Sequence, residues 1–202
     1  MPVKLNSSGG GSVTIDVPST ASSYTLTAPA ATATLITTGS SGRVIPKDAL
    51  PTGSVLQVVS TFDTTTTTGT TNNYDVLSTT ITPTSSTSKI LLLAQVSWFS
   101  NIDHGGLYFM RNGSPLARNS GATYINSTVS ASFDNNNYGT NGNGSYGANP
   151  MMYLDSPATA SAITYNVRTT MTGGSANWYY NRSVNSGAQA STSSLILMEI
   201  AV

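Results

Sequence analysis

The chain has few residues suited to acid–base chemistry, and its single histidine is the first to consider. His104 follows Asp103, and a serine hydrolase uses such a pair of side chains to activate its nucleophile. That nucleophile would need a sharp turn of the Gly-x-Ser-x-Gly type, and the chain contains no such motif. One histidine also cannot form a multi-histidine metal site. Because Gly105 and Gly106 follow directly, the sequence predicts a loop at His104.

Carboxylates are the next candidates, because enzymes that cleave polysaccharides use two of them about 5–10 Å apart. Beyond the first fifty residues the acidic positions are Asp63, Asp75, Asp103, Asp134, Asp155 and Glu199. They are scattered through predicted loops and strand ends, and any two of them could meet in space. Polysaccharide cleavage is therefore kept as an alternative, while the sequence favours a protein that is not an enzyme.

A loosely calcium-like stretch occurs at 134–145, where "DNNNYGTNGNGS" places Gly139 in the sixth position. A calcium loop needs an oxygen ligand in the fifth position and a bidentate Glu in the twelfth. Tyr138 and Ser145 occupy those two positions, so we interpret the stretch as an exposed loop. The chain has no cysteine, which excludes thiolate metal sites and disulfides. The sequence thus predicts no metal and no cofactor.

The strongest binding motif is "NWYYNR" at 177–182, in which aromatic rings lie beside amide and guanidinium groups. Such a combination can stack on sugars and donate directed hydrogen bonds, so Trp178, Tyr180 and Arg182 are candidate receptor contacts. In a strand, however, Trp178 and Tyr180 share one face and Tyr179 lies on the other. One of these faces is then expected to pack in the core or against another subunit.

The long loop at 134–150 supplies the other candidate contacts. Tyr138, Asn141 and Tyr146 lie in this Asn- and Gly-rich stretch. Loops held on a rigid scaffold commonly bind partners, so all three are candidate receptor contacts.

The composition indicates the class of fold that must position these residues. Charged residues make up 8% of the chain and its net charge is zero, whereas an average protein has about 25% charged residues. Such a chain cannot neutralise a phosphate backbone, so no nucleic-acid binding is expected. No apolar run is long enough to cross a membrane, and no membrane insertion is expected. Thr-rich runs with ten Tyr favour an all-β protein.

Strand signals recur about every ten residues from residue 54 onward, as in a sandwich or jelly roll. The predicted strands are 54–62, 74–83, 89–99, 105–117, 123–133, 151–157, 163–172, 176–183 and 193–202. The Thr run before Asn72 and Asn73 is predicted to be an exposed loop. Arg111-Asn112-Gly113-Ser114 predicts a tight hairpin. The last strand is apolar on both faces, which indicates either a central strand or one at a subunit interface.

The first 42 residues have a different pattern. Short alternating runs at 13–17, 24–28 and 33–37 predict three strands with small side chains. Short strands with small side chains bury too little area to be stable alone, so they require other copies or another protein. Residues 43–52 contain two prolines and are interpreted as a linker, with one helical turn possible at 47–50.

Residues 10–39, with "VPSTASSYTLTAP" at their centre, resemble a repeat of bacteriophage tail-fibre and minor virion structural proteins. The segments "SKILLLAQVSW", "GLYFMRNGSPLA" and "STSSLILMEIAV" resemble the jelly-roll heads of phage fibres, especially those of cyanobacterial and marine phages. Their order is also similar to that of the tumour-necrosis-factor-like jelly roll, whose apolar last strand packs around a threefold axis.

This resemblance implies a homotrimeric virion protein on the tail or capsid surface. Residues 1–42 would form a β stalk that attaches to other virion proteins, and residues 53–202 would form a jelly-roll head. As a short tail fibre or spike, the head would bind a host-surface glycan or protein. The alternative is a capsid-decorating or baseplate component without a receptor. "MPVKLN" begins no signal peptide, so synthesis in the host cytoplasm is expected.

Overall fold

The computed structural model describes residues 3–6, 8–15, 50–100, 104–118, 132–134, 148–171, 177–182 and 190–202. The chain divides into two units, Met1–Val44 and Ile45–Val202. The described residues form strands, turns and bends and contain no helix. The predicted all-β class is therefore confirmed for this part of the chain.

The described part of the first unit is a β-hairpin. Strand β1 (Val3–Asn6) pairs antiparallel with β2 (Ser12–Ile15), and the turn between them places Gly10 at a φ of 85°. The strand predicted at 13–17 is thus confirmed over its first residues, whereas β1 was not predicted. The predicted strands at 24–28 and 33–37 lie outside the described residues.

The second unit consists of antiparallel sheets consistent with a β-sandwich. Its strands are β3 (Val55–Asp63), β4 (Thr67–Gly69), β5 (Asp75–Ile81), β6 (Lys89–Ser100), β7 (His104–Arg111), β8 (Ser114–Leu116), β9 (Ser132–Asp134), β10 (Ala148–Asp155), β11 (Ile163–Met171), β12 (Trp178–Tyr180) and β13 (Ser193–Ile200). Where they are described, the predicted strands agree with these positions to within a few residues.

The first sheet is organised around the long strand β6. One edge of β6 pairs with β10, and the other edge pairs first with β13 and then with β12. The strands β3 and β4 lie outside β13 and β12, respectively. The sheet is therefore four strands wide. Strands β13 and β12 lie end to end along one edge of β6, and β3 and β4 lie end to end outside them.

The second sheet has the order β5, β11, β7, and the far edge of β7 pairs with both β8 and β9. Alternate residues of the two sheets form one core. Ile90, Leu92 and Trp98 of the first sheet and Leu107 and Phe109 of the second are buried within it. Complete burial of each aliphatic or Phe side chain stabilises the fold by about 1.5–3 kcal/mol.

The hairpin predicted from Asn112-Gly113 is confirmed. Arg111 pairs with Ser114 across the turn, and both central residues have positive φ, 47° at Asn112 and 82° at Gly113. A two-residue turn of this hand matches the right-handed twist of the strands, and Asn followed by Gly tolerates it best. The backbone N–H of Thr164 also donates to the side-chain oxygen of Asn112, which holds the turn against β11.

Two loop predictions are wrong because pairing partners were not visible in the sequence. The Thr run contains β4, which pairs with β12. There Gly69 lies against the ring of Trp178, and an added Cβ would overlap that ring. His104 is the first residue of β7 and pairs with Asp134 of β9, so the backbone there is extended.

A buried asparagine joins the two places where strands of the first sheet are interrupted. The side-chain amide of Asn181 donates to the carbonyls of Asp63 and Thr65, between β3 and β4. Its side-chain oxygen accepts from the hydroxyl of Ser193, at the start of β13. Asn181 itself has a φ of 53°, a conformation that Asn tolerates better than most residues. One side chain therefore satisfies backbone groups that the interruptions leave unpaired.

Candidate assembly surface

The outer face of the first sheet is apolar over all four strand positions. The register places Val58, Met198, Leu91 and Leu154 side by side in one row across the sheet. The next row contains Ser60, Ile196, Leu93 and Met152. Their neighbours along the strands, such as Leu92 and Leu197, are buried in the core, so these rows lie on the opposite face.

Several side chains of this face are open to solvent in the chain as described. Met152 is 61% exposed, Val58 is 53% exposed and Leu154 is 47% exposed. Lys89, at the border, is the one charged residue among the described positions of this face. A contiguous apolar surface of this kind typically marks an interaction site, because monomers rarely expose one.

The last strand occupies the middle of this face. Strand β13 pairs with β3 on one side and β6 on the other, so its interpretation as a central strand is confirmed. Its inward residues Leu195 and Leu197 are fully buried, while Ile196 and Met198 on the outer face are only partly covered. The apolar residues of β13 thus pack in the core on one face of the strand and form part of the exposed apolar surface on the other.

A groove of about 500 Å³ crosses the face over β13, β6 and β10. Its apolar outward side chains are Leu93, Ile196, Pro150 and Met152, and its polar ones are Gln95 and Ser194. Pro150 is tolerated in β10 because this strand lies at the edge of the sheet and needs no further backbone donor there.

Two of the predicted receptor contacts lie in the core instead of on the surface. Trp178 is 2% exposed and Tyr180 is 3% exposed, while Tyr179 between them is partly covered. The predicted sharing of faces is therefore confirmed, and the burial favours packing, the other role considered for this face. Trp178 and Tyr180 would have to leave the core before they could touch a receptor.

Specific contacts hold Trp178 in place. Its ring stacks on Tyr74 with centroids 4.9 Å apart, and its indole N–H donates to the carbonyl of Thr71 at 2.9 Å. The hydroxyl of Tyr180 donates to the carboxylate of Asp63 at 3.0 Å. These bonds satisfy the polar atoms of both aromatic side chains inside the sandwich.

The remaining candidate contacts differ in how the structure places them. Arg182 is half-buried and bridges to Ala190, at the base of the segment between β12 and β13. Tyr138, Asn141 and Tyr146 lie outside the described residues, as does most of the calcium-like stretch. Of these four candidates, the structure therefore places only Arg182, two residues after Tyr180.

Each acidic side chain that the structure describes in the sandwich has a partner. Asp155 accepts from Arg111 and from the hydroxyl of Tyr165. Asp75 pairs with Arg168 in the second sheet. Asp103 and the side chain of Asp134 lie outside the described residues. The sequence suggested these carboxylates as possible catalysts and gave no sign of their partners, because Tyr165, Arg111 and Arg168 lie 10 to 93 residues away from them in the chain.

Of the acidic side chains that the structure describes, Glu199 is the most completely buried, with an exposure of 0%. One oxygen accepts from the backbone N–H and the hydroxyl of Thr84, and the other accepts from the amide of Gln57 at 2.6 Å. Burial alone would raise the pKa of Glu199, but the hydrogen bonds from Thr84, Ser88 and Gln57 outweigh it and lower the pKa below 4.5. The ionised carboxylate thus fastens the 82–88 turn to the last strand.

Replacement of Glu199 by Gln is expected to lower the free energy of unfolding at pH 7 by about 1–2 kcal/mol, because charge-assisted hydrogen bonds are lost. A pKa that is lower in the folded state gives stability that is present above 4.5 and is lost as the pH falls through the folded pKa. The difference between wild type and Glu199→Gln should therefore shrink below pH 4. Urea unfolding from pH 7 to pH 3 measures it, and a constant difference would contradict the assignment.

Within the described ranges, no group of three or more acidic or histidine side chains is arranged to hold a metal ion. The same residues include no helix long and apolar enough to cross a membrane.

Comparison of the chain with protein-family models and with curated protein sequences found no match.

Proposed function

We propose that the chain is a virion structural protein of a bacteriophage, a short tail fibre or spike whose jelly-roll head assembles as a homotrimer. The observation that carries the assembly is the apolar outer face of the first sheet. Residues 1–42 attach the protein to other virion proteins, in line with the resemblance of their repeat to phage fibre segments. The head then presents its loops to a glycan or protein on the host surface.

A second copy of the chain suits this face better than a charged partner. Among its described positions the face has no charge to pair with except Lys89 at the border, and the chain as a whole has a net charge of zero. Copies can therefore approach without like-charge repulsion and bury their apolar rows against one another. Three heads on one axis would present three weak binding sites together, and their combined affinity for the host surface would exceed that of a single site.

The remaining candidates for receptor contact are Arg182, Tyr138, Asn141 and Tyr146. The burial of Trp178 and Tyr180 favours the second candidate function, a capsid-decorating or baseplate component whose head only assembles. Polysaccharide cleavage is the least favoured role. The described carboxylates of Asp63, Asp75, Asp155 and Glu199 are all engaged in bonds that hold the fold.

The assembly is tested by placing a charge in the centre of the face. Leu93→Asp should leave the sandwich folded, since Leu93 points away from the core, and should raise the dissociation constant of the oligomer about 100-fold or more. Sedimentation velocity over a dilution series measures the change. Thr80→Asp, at an exposed position of the second sheet, is the matched control and should assemble as the wild type does.

Two outcomes would contradict the proposal. A wild-type chain that is monomeric at high micromolar concentration would contradict the proposed assembly. Labelled protein that is not incorporated into phage particles would contradict the proposed role in the virion. On particles, a label at the tail supports the fibre, and a label at the capsid supports the decorating component.

A further inference from the structure

We propose that Phe62 of one copy inserts into the groove over β13, β6 and β10 of the next copy. This inference rests on the proposed assembly and adds to it the contact between the subunits. Each copy would donate its Phe62 to one neighbour and receive the Phe62 of the other.

Phe62 has the form of a protruding contact residue. It is 67% exposed, the highest value among the large apolar side chains that the structure describes. It lies on β3, and its neighbour across the pair with β13 is the small Ser194, which gives the ring no cover. An aromatic ring held this far into water gains most from a partner, because burying a Phe side chain yields about 1.5–3 kcal/mol.

The groove has the size and the lining to receive such a ring. Its volume is about 500 Å³, and a closed apolar cavity of about 150 Å³ already accepts benzene. Leu93 and Ile196 form its floor on the outer face, and Pro150 and Met152 form the side at β10. The Met152 thioether, 61% exposed, can pack against the edge of an aromatic ring.

The ring lies at the β3 end of one register row, and the far side of the groove lies at its β10 end. The register row runs from Phe62 through Ser194 and Gln95 to Pro150. Three strand spacings separate its two ends, roughly 14 Å, so Phe62 cannot reach the β10 side of the groove in its own copy. Two different patches that complement each other make a head-to-tail contact, and such contacts close into rings when the rotation allows it.

The electrostatics of this face are compatible with the insertion of an uncharged ring. The residues of the row and the lining of the groove are uncharged, so insertion of the ring leaves no ion unpaired. The net charge of the chain is zero as well, so a second copy can bring its Phe62 to the groove without like-charge repulsion.

Truncation of the ring is the first test. Phe62→Ala should raise the dissociation constant of the oligomer about 10- to 100-fold in sedimentation velocity. It should leave the unfolding of the dissociated chain, measured below the dissociation constant, unchanged, since the side chain is exposed there. Phe62→Leu should retain most of the affinity. Thr80→Ala, which truncates an exposed side chain of the second sheet, is the control and should leave the dissociation constant unchanged.

Cysteine cross-linking is the second test, and the cysteine-free chain gives it a clean background. The double variant Phe62→Cys/Met152→Cys should form a covalent trimer on oxidation in non-reducing gels, while each single variant should not cross-link. The two positions lie too far apart within one copy for a disulfide, which needs Cα atoms within about 7 Å.

The outcomes separate this contact from the assembly itself. If the wild type assembles but Phe62→Ala binds as tightly and the double variant gives no cross-link, the contact is wrong while the assembly stands. A product that stops at the covalent dimer, or cross-linking of Phe62→Cys alone, would contradict the head-to-tail arrangement. A wild-type monomer would overturn both the contact and the assembly.

Discussion

Replacement of Trp178 by alanine is expected to lower the free energy of unfolding by about 3–5 kcal/mol, the cost of removing a large aromatic side chain from a core. The change leaves a cavity between β4 and β12, removes the stacking on Tyr74 and leaves the carbonyl of Thr71 without its donor. Urea unfolding followed by circular dichroism measures the loss. A loss below about 1 kcal/mol would contradict the packing described here.

Two companion variants show whether the effect comes from packing. Trp178→Phe keeps most of the ring and should lose only about 1–2 kcal/mol, mainly for the hydrogen bond. Gly69→Ala should be strongly destabilising in the wild type, because the added methyl overlaps the Trp178 ring, and much less so in Trp178→Ala. Loss of receptor binding in Trp178→Ala alone would thus not identify a contact, since the variant is also weakened as a fold.

Replacement of Asp155 by alanine is expected to lower the free energy of unfolding by about 2–4 kcal/mol. The carboxylate is nearly buried and accepts two bonds of 2.9 Å from Arg111 and one of 2.7 Å from the hydroxyl of Tyr165. Removing one partner of a fully buried pair costs about 3–5 kcal/mol. The figure here is lower because the Arg111 side chain is 37% exposed and can be rehydrated.

The double variant Asp155→Ala/Tyr165→Phe distinguishes the contribution of the Tyr165 hydrogen bond to stability from that of the Arg111 ion pair. Tyr165 is fully buried, so its hydroxyl is left without its acceptor in Asp155→Ala. Burial, followed by the hydrogen bond to Asp155, raises the pKa of Tyr165, so this hydroxyl stays protonated over the whole working range. Tyr165→Phe should therefore cost less in the Asp155→Ala background than in the wild type. Equal costs in thermal or urea unfolding would show that the bond does not stabilise the fold.

Local patterns were sufficient to predict the strands and the hairpin. Alternation of apolar residues marked strands such as β6, β11 and β13, because a strand with one buried face leaves a period of two in the sequence. Asn112-Gly113 marked its turn because those two residues accept the required backbone angles. Strand β4 was missed because a run of Thr shows no alternation, and its pairing with β12 depends on a partner about 110 residues away.

The candidate site was harder to predict than the fold. The motif at 177–182 suggested a binding site because three aromatic residues lie there beside amide and guanidinium groups, yet a strand that packs in the core can contain the same residues. Only the burial of Trp178 and Tyr180 decided between the two. The apolar face was only partly visible in the sequence. The pattern of the last strand indicated it, but the positions on β3, β6 and β10 do not differ in type from core residues.

The sequence by itself determined the all-β class, the low charge and the placement of most strands, because these follow from composition and from local periodicity. The tertiary structure decided which strands are neighbours, and therefore what each side chain meets. It placed Asn181 at two interrupted strands, gave Asp155 and Glu199 their partners, and placed Phe62 and the β10 side of the groove at opposite ends of one register row. These relations join residues far apart in the chain, and pairing between distant strands leaves no periodic trace in the sequence from which it could be read.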